Sequence, residues 1–171
     1  MTESGEKWGK REYIHRGGDA LFRGVSVLNL DVKGRLAIPA RYREQLQHCC
    51  ASRLVITVDS DRCLLIYPEP NWTEIEHKLE QLPSFNPTAR KLQRLYIGHA
   101  QDVEMDGQGR VLLPPELRRF ASLDKRVALV GQSNKFELWD EEIWNGRREE
   151  WLNEADFREL ESAPDFASLS I

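Results

Sequence analysis

The sequence predicts a mixed α+β fold, a single pseudo-symmetric β-barrel built jointly by two tandem copies of one small unit, with helices on its periphery. Three observations lead there. Residues 30–43 align with residues 105–118 at an offset of 75, and Asp31, Gly34, Arg35, Pro39 and Arg43 recur identically as Asp106, Gly109, Arg110, Pro114 and Arg118. Residues 55–72 then align without gaps to residues 127–144 at an offset of 72, so that Leu65-Ile66-Tyr67 answers Glu137-Leu138-Trp139 and Trp72 answers Trp144. Self-similarity in two ordered blocks marks a repeat architecture. Neither half holds enough strand to close a barrel alone, whereas two intertwined copies leave no exposed edge.

Each copy reads the same way. Residues 24–30 alternate roughly and carry β-branched side chains, a strand pattern. Residues 31–34 form a turn, because an Asp carboxylate accepts from backbone N–H groups two residues on and Gly34 tolerates positive φ. Residues 35–38 make a short strand, and Pro39, whose missing N–H suits a first helical turn, starts a helix over residues 40–46. Residues 54–58 and 63–67 pair as a hairpin across Asp59-Ser60-Asp61-Arg62. In the second copy the hairpin is 127–130 with 136–139, across Gly131-Gln132-Ser133-Asn134. The change of offset places three extra residues in the first copy, near His48-Cys49-Cys50. Trp72, Ile75, Leu79 and Leu82 sit at helical spacing before Pro83. Asn86-Pro87 opens another helix through Leu92, Leu95 and Tyr96, and Trp144, Trp151, Leu152 and Leu160 line an acidic C-terminal helix, with a frayed tail after Pro164. Such stripes are core contacts. The organisation is therefore an N-terminal extension (1–20) expected to lack structure, a first repeat (22–72), linking helices (73–98), a second repeat (99–144), and an acidic helix and tail (145–171).

The bulk properties narrow the function classes. A chain of 171 residues, 40 % hydrophobic with a formal net charge of −4, is ordinary for a globular protein of one or two small units. No apolar run approaches the roughly 20 residues of a membrane span, and residues 1–20 have no apolar stretch of the secretory kind. Cys49, Cys50 and Cys63 lack C-x-x-C spacing and read as packing residues of a reduced protein. The charge is polarised. Residues 23–43 carry Arg23, Asp31, Lys33, Arg35, Arg41 and Arg43, a balance of +4, while residues 137–165 hold eleven carboxylates against three arginines, a balance of −8. A local basic segment matters more for nucleic acid than the total.

Catalytic chemistry is not indicated. The four histidines, His15, His48, His77 and His99, are scattered, and no metalloprotease, nucleophile-elbow or phosphate-loop pattern occurs. Metal-ligand spacing of Cys and His is absent, so the chain is expected to be neither an enzyme nor a cofactor or metal carrier. The Asp-x-x-Gly-Arg turn is the informative motif. At its plainest, Asp31 and Arg35 stabilise their own corner, as Asp106, Gly109 and Arg110 do in the second copy. Beyond that, an arginine leaving such a corner presents a planar five-donor fork able to meet a phosphate or a guanine edge.

At these residues the chain resembles the MraZ family, within the AbrB-like group of swapped-hairpin, double-split barrels. The likeness runs from Leu21-Phe22-Arg23-Gly24 to about Leu160. It is carried by Asp31-Val-Lys-Gly-Arg-Leu-Ala-Ile-Pro-Ala-Arg-Tyr-Arg43, by Asp106-Gly-Gln-Gly-Arg110 and by Val130-Gly-Gln-Ser-Asn-Lys-Phe-Glu-Leu-Trp-Asp140. Family members resemble Met-Phe-Arg-Gly where this chain has Leu21, so residues 1–20 read as an extension with no assigned function. The resemblance implies a cytoplasmic, nucleoid-associated transcription regulator that assembles into a homo-oligomeric ring. It also implies binding of double-stranded DNA at repeated elements upstream of the division and cell-wall gene cluster that includes its own gene.

Comparison of the copies singles out the first. Lys33, Arg35, Arg41 and Arg43 of the first turn and helix become Gln108, Arg110, Glu116 and Arg118 in the second. Because phosphate neutralisation dominates affinity, Arg35, Lys33, Arg23, Arg41 and Arg43 are expected to form the DNA face. Lys33 and Arg41 are expected to reinforce the positive potential around Arg35, and Gln108 and Glu116 to weaken it around Arg110. An antitoxin-like module, holding a basic partner on the acidic C-terminal segment, is the alternative; Trp144, Trp151 and Leu160 speak for an ordered helix against it.

Overall fold

The computed structural model describes residues 20–154 and Pro164. The extension before Ala20, Leu160 and the tail beyond Pro164 lie outside the described residues. In chain order the elements are β1 (Phe22–Asn29), β2 (Arg35–Ala37), α1 (Ala40–Cys50), β3 (Arg53–Val58), β4 (Leu64–Pro68) and α2 (Glu69–Glu80), then α3 (Pro87–Leu92) running into a π-helical turn (Gln93–Ile97). The second copy follows as β5 (Gln101–Glu104), β6 (Arg110–Leu112), α4 (Pro115–Phe120), β7 (Arg126–Ser133), β8 (Lys135–Asp140) and α5 (Glu141–Glu154). Strand, strand, helix, strand, strand, helix thus occurs twice.

The three extra residues of the first copy are absorbed as an additional turn of α1, which has 11 residues against 6 in α4. The longer helix buries Leu46 and Cys50 and ends at Ala51 in a left-handed conformation (φ 50°), where the Ser52 N–H donates to Leu46 O at 3.2 Å. The second hairpin is tighter than the sequence suggested. Gln132 pairs with Lys135, and Ser133 takes φ +65°, so the strands continue through Gly131 and the turn shrinks. The linking helix is capped by Asn86, whose Oδ1 accepts from Thr88 N at 2.8 Å. It widens at Gln93, where Gly98 N–H donates to Gln93 O, five residues back, at 3.1 Å. Thr57, fully buried, donates its hydroxyl to Tyr96 O at 2.6 Å and holds that turn on the sheet.

One six-stranded antiparallel sheet has the order β1-β7-β8-β4-β3-β5, and β2 pairs separately with β6. Strands of opposite copies alternate with hairpins: β1 pairs with β7, β4 with β8, and β3 with β5, with only β3–β4 and β7–β8 inside a copy. Exchanging the copies returns the same strand order read backwards. The closed barrel expected from the sequence is not what the ladder forms, since β1 and β5 are edge strands. The turns at Asp31 and Asp106 carry the chain off the sheet, and the three-residue strands that follow have only each other to pair with.

Both faces of the sheet are covered. One core, centred on Leu36, Ile38, Leu46, Val111, Leu113 and Phe136, fills the space beneath the β2–β6 ribbon, α1 and α4. Phe22 stacks on Phe136 there, ring centroids 4.1 Å apart, with Tyr42 edge-on to both. The second core, with Val55, Tyr67, Trp72, Ala128, Trp139 and Trp144, lies under α2 and α5. This double coverage explains why β3 and β4 are apolar without alternation. Fully burying each such side chain contributes about 1.5–3 kcal/mol. No helix among the described residues is long and apolar enough to cross a membrane.

Candidate nucleic-acid interface

Each Asp-x-x-Gly-Arg turn is wired by one carboxylate. Asp31 Oδ1 accepts from the backbone N–H of Lys33 and of Arg35, both at 2.9 Å, and Oδ2 accepts from Arg35 Nε at 2.5 Å. Asp106 repeats the pattern, with Gln108 and Arg110 N–H at 2.9 Å and Arg110 Nε at 3.0 Å. In both, the arginine's backbone N–H is the strongest influence holding the carboxyl below its ordinary value, opposed by partial desolvation and helped by the guanidinium and the other N–H. Gly34 (φ +79°) and Gly109 (φ +75°) close the turns in the left-handed region that disfavours any side chain.

The ribbon brings the two turns onto one face. Arg35 pairs with Leu112, Leu36 with Val111, and Ala37 with Arg110. Successive side chains on a strand point to opposite faces, and Leu36 and Val111 are fully buried, so Arg35, Ala37, Arg110 and Leu112 look outward together. Arg110, read from the sequence as a turn residue alone, is thereby a neighbour of Arg35 on a common outer face. The signal was present in the period-2 pattern of Arg35-Leu-Ala and Arg110-Val-Leu, but it needed the cross-copy pairing to become visible. The two arginine side chains are equally available, 28 % and 31 % exposed. In each, the aspartate engages Nε, and the terminal nitrogens make no hydrogen bond among the described residues. A two-stranded ribbon fits the major groove of B-form DNA, where an arginine fork matches guanine O6 and N7.

The copies also exchange their helices. Arg43 of α1 lies across Gly109 of the other copy's turn, a Cβ there falling 2.1 Å from Arg43 Nε, and Arg118 of α4 lies across Gly34, with its Cζ 2.5 Å from such an atom. Arg43 Nε donates to Ile38 O at 2.7 Å, whereas Arg118 Nε is buried with no acceptor among the described residues. Backbone bonds follow the same cross: Ile38 N–H donates to Gly109 O at 2.8 Å and Leu113 N–H to Gly34 O at 3.1 Å. The expected neighbourhood of Arg35 is corrected accordingly. Helix α1 flanks the turn of Arg110, where Ala40, Arg43 and Glu44 share a cleft with Glu104, Asp106 and Gly109, and α4 flanks the turn of Arg35.

The other expected site residues are dispersed. Lys33 is exposed at the tip of the first turn. Arg41, also exposed, turns toward β1: its Nη2 donates to Ser26 Oγ at 2.8 Å, and its guanidinium sits 4.7 Å from the Tyr42 ring centroid. Arg23 is exposed on β1, its carbonyl accepting from the Tyr42 hydroxyl. Arg43 is half-buried and joins the copies. Among the described residues no cluster of His, Cys, Asp and Glu is arranged to hold a metal ion.

Comparison with known proteins places the architecture. The family profile described as "MraZ protein, putative antitoxin-like" matches twice, over residues 21–95 and 96–164. The chain belongs to the MraZ family. Proteins named transcriptional regulator MraZ are similar to it along most of their length. That of Thioalkalivibrio sulfidiphilus is 60 % identical over 136 residues, covering 80 % of this chain and 91 % of the relative. Those of Halorhodospira halophila and Methylococcus capsulatus are each 53 % identical, covering 88 % of this chain and 100 % and 99 % of the relatives. These MraZ relatives are named as regulators, not as enzymes, and the two profile matches coincide with the repeated elements of the fold.

Proposed function

We propose that this protein is a DNA-binding transcription regulator that reads DNA with the outer face of the β2–β6 ribbon. The observation that carries the reading is the placement of Arg35 and Arg110 on that one face, each oriented by its own aspartate. Two forks held in advance lose less side-chain entropy on binding than free arginines do. Lys33 adds phosphate contact at the first turn, and Arg23 and Arg41 add positive charge along β1. Arg43 serves chiefly to lock the copies together. Arg35 is the dominant contact, because the cleft beside Arg110 contains Glu44 and Glu104, whose charge opposes phosphate. The two repeats (22–72 and 99–144, joined by 73–98) act as one pseudo-symmetric unit, with the ribbon over one face of their shared open sheet.

The protein works in the cytoplasm on the nucleoid, as a homo-oligomeric ring on repeated elements upstream of the division and cell-wall cluster, its own gene included. A ribbon of this size binds weakly alone, and linking several raises avidity by about 10²–10⁴. Fluorescence anisotropy with that upstream fragment, at fixed salt, tests the reading. One lost base contact is worth about 1–3 kcal/mol. Multiplied over subunits, Arg35→Ala should abolish detectable binding, and Arg110→Ala should weaken it by a smaller factor. Wild-type affinity in a folded, oligomeric Arg35→Ala protein would overturn the assignment.

A further inference from the structure

Among the described residues, two surfaces on the α2 and α5 side of the six-stranded sheet are left uncovered, in opposite halves, and they are opposite in charge. The first is α5 with the neighbouring edge strand. Of its 14 residues only Trp144 is buried, and residues 145–154 are all exposed. Trp151 leans edge-on against Trp139 and Trp144 with centroids 5.9 Å apart, yet stays 41 % exposed, beside Leu152 at 63 %. Val25 and Val27 of β1 pair with Val130 and Ala128 and so share their face of the sheet. Those two partners are buried in the second core, whereas the valines remain nearly half exposed. Helix α5 carries Glu141, Glu142, Glu149, Glu150 and Glu154 against Arg147 and Arg148, a net −3.

The second surface is the linking segment. Phe85 is 93 % exposed, in a loop pinned by Arg90 Nη1, which donates to Ser84 O and Phe85 O at 3.1 Å. Leu92 and Leu95 are exposed next to it. Helix α3 and its π-helical turn carry Arg90, Lys91 and Arg94 and no carboxylate, a net +3. A helix that buries a single side chain is marginal on its own, and an apolar strip bordered by charge marks a contact surface.

We propose that residues 84–97 of one copy dock on α5, Val25 and Val27 of a second copy, the basic segment meeting the acidic helix and Phe85, Leu92 and Leu95 covering the exposed valines, Trp151 and Leu152. The contact joins unlike surfaces, so each added copy leaves one of each free and growth ends only by closure. This rests on the ring reading above and supplies its interface. It also assigns α5 to a second copy of this chain in place of a foreign basic partner.

Native mass spectrometry at micromolar protein and low salt tests it on full-length chains without DNA, so its outcome is independent of the ribbon assignment. Wild type should be a closed oligomer. Lys91→Glu with Arg94→Glu, or Glu149→Lys with Glu150→Lys, puts like charges in contact and should weaken association about tenfold or more, giving smaller species. An equimolar mixture of the two double variants, in which acid meets base again, should reassemble with both chains in equal number. Oligomers of unchanged mass in either double variant would overturn this interface and leave the ring reading standing. A monomeric wild type would overturn both. Near-ultraviolet circular dichroism of the tryptophan cluster checks folding. For a variant that loses that signal, the glutamine substitutions at the same positions replace it, with about threefold weakening expected and no change again overturning the interface.

Discussion

The turns at Asp31 and Asp106 present the same carboxylate to the same two backbone N–H groups and one guanidinium, but the arginine that the other copy lays across each glycine is differently satisfied. Arg43, over Gly109, donates to Ile38 O at 2.7 Å; Arg118, over Gly34, has its Nε buried with no acceptor among the described residues. Repetition of a local motif therefore reproduces local geometry, while the energetics of the site depend on what the opposite copy supplies. The second turn is the better anchored of the two, because the arginine laid across its glycine keeps a carbonyl acceptor.

The comparison is most severely tested by filling the glycines. Gly109→Ala places a Cβ in the left-handed region and displaces Arg43 from Ile38. The strain and the lost charged hydrogen bond together should cost about 2–4 kcal/mol. Gly34→Ala carries similar strain but displaces an arginine whose Nε has no bond to lose, so about 1–3 kcal/mol is expected. Denaturant unfolding of the two variants measures the order, and a larger loss for Gly34→Ala would reverse the comparison.

Removing the arginine heads sharpens it further. Arg43→Met strands the Ile38 carbonyl and should destabilise by about 1–3 kcal/mol. Arg118→Met keeps the apolar stem and removes an unpaired buried donor, so stability should move by less than about 1 kcal/mol in either direction. Equal losses by thermal unfolding would show that Arg118 finds an acceptor in solution.

The smallest effect concerns pH. Asp31 and Asp106 are both held below their ordinary 3.8. A carboxylate lowered in the folded state contributes stability that is fully present above the unfolded-state value and is lost as pH falls through the lowered one. Asp31→Asn and Asp106→Asn should each flatten the decline of the unfolding midpoint below 3.8. An unchanged decline in either variant would mean that its carboxylate is not held down by its turn.

Much of this was legible in the residues. The turns, the proline-started helices, the first hairpin and the Asn86 cap depend on contacts a few residues apart, and each appears where its local chemistry puts it. The repeat itself, read from five identical residues and two offsets, foretold the two family matches. Boundaries moved where a tertiary contact extended an element, as Cys50 did for α1 by entering the core.

What the sequence determined by itself is the repeated unit, its turn chemistry and its polarised charge, because the hydrogen bonds that Asp31 and Asp106 accept within their own turns are available to any folded form of this chain. Only the tertiary structure decided which copy each unit leans on. The apolar pattern of β2 and β6 is satisfied equally by a partner in either copy, so nothing local specifies that they pair with each other, that α1 flanks the turn of Arg110, or that the six-stranded ladder stays open. Those choices follow from burying Leu36 and Val111 together under one shared ribbon, a contact between residues 75 apart in the chain.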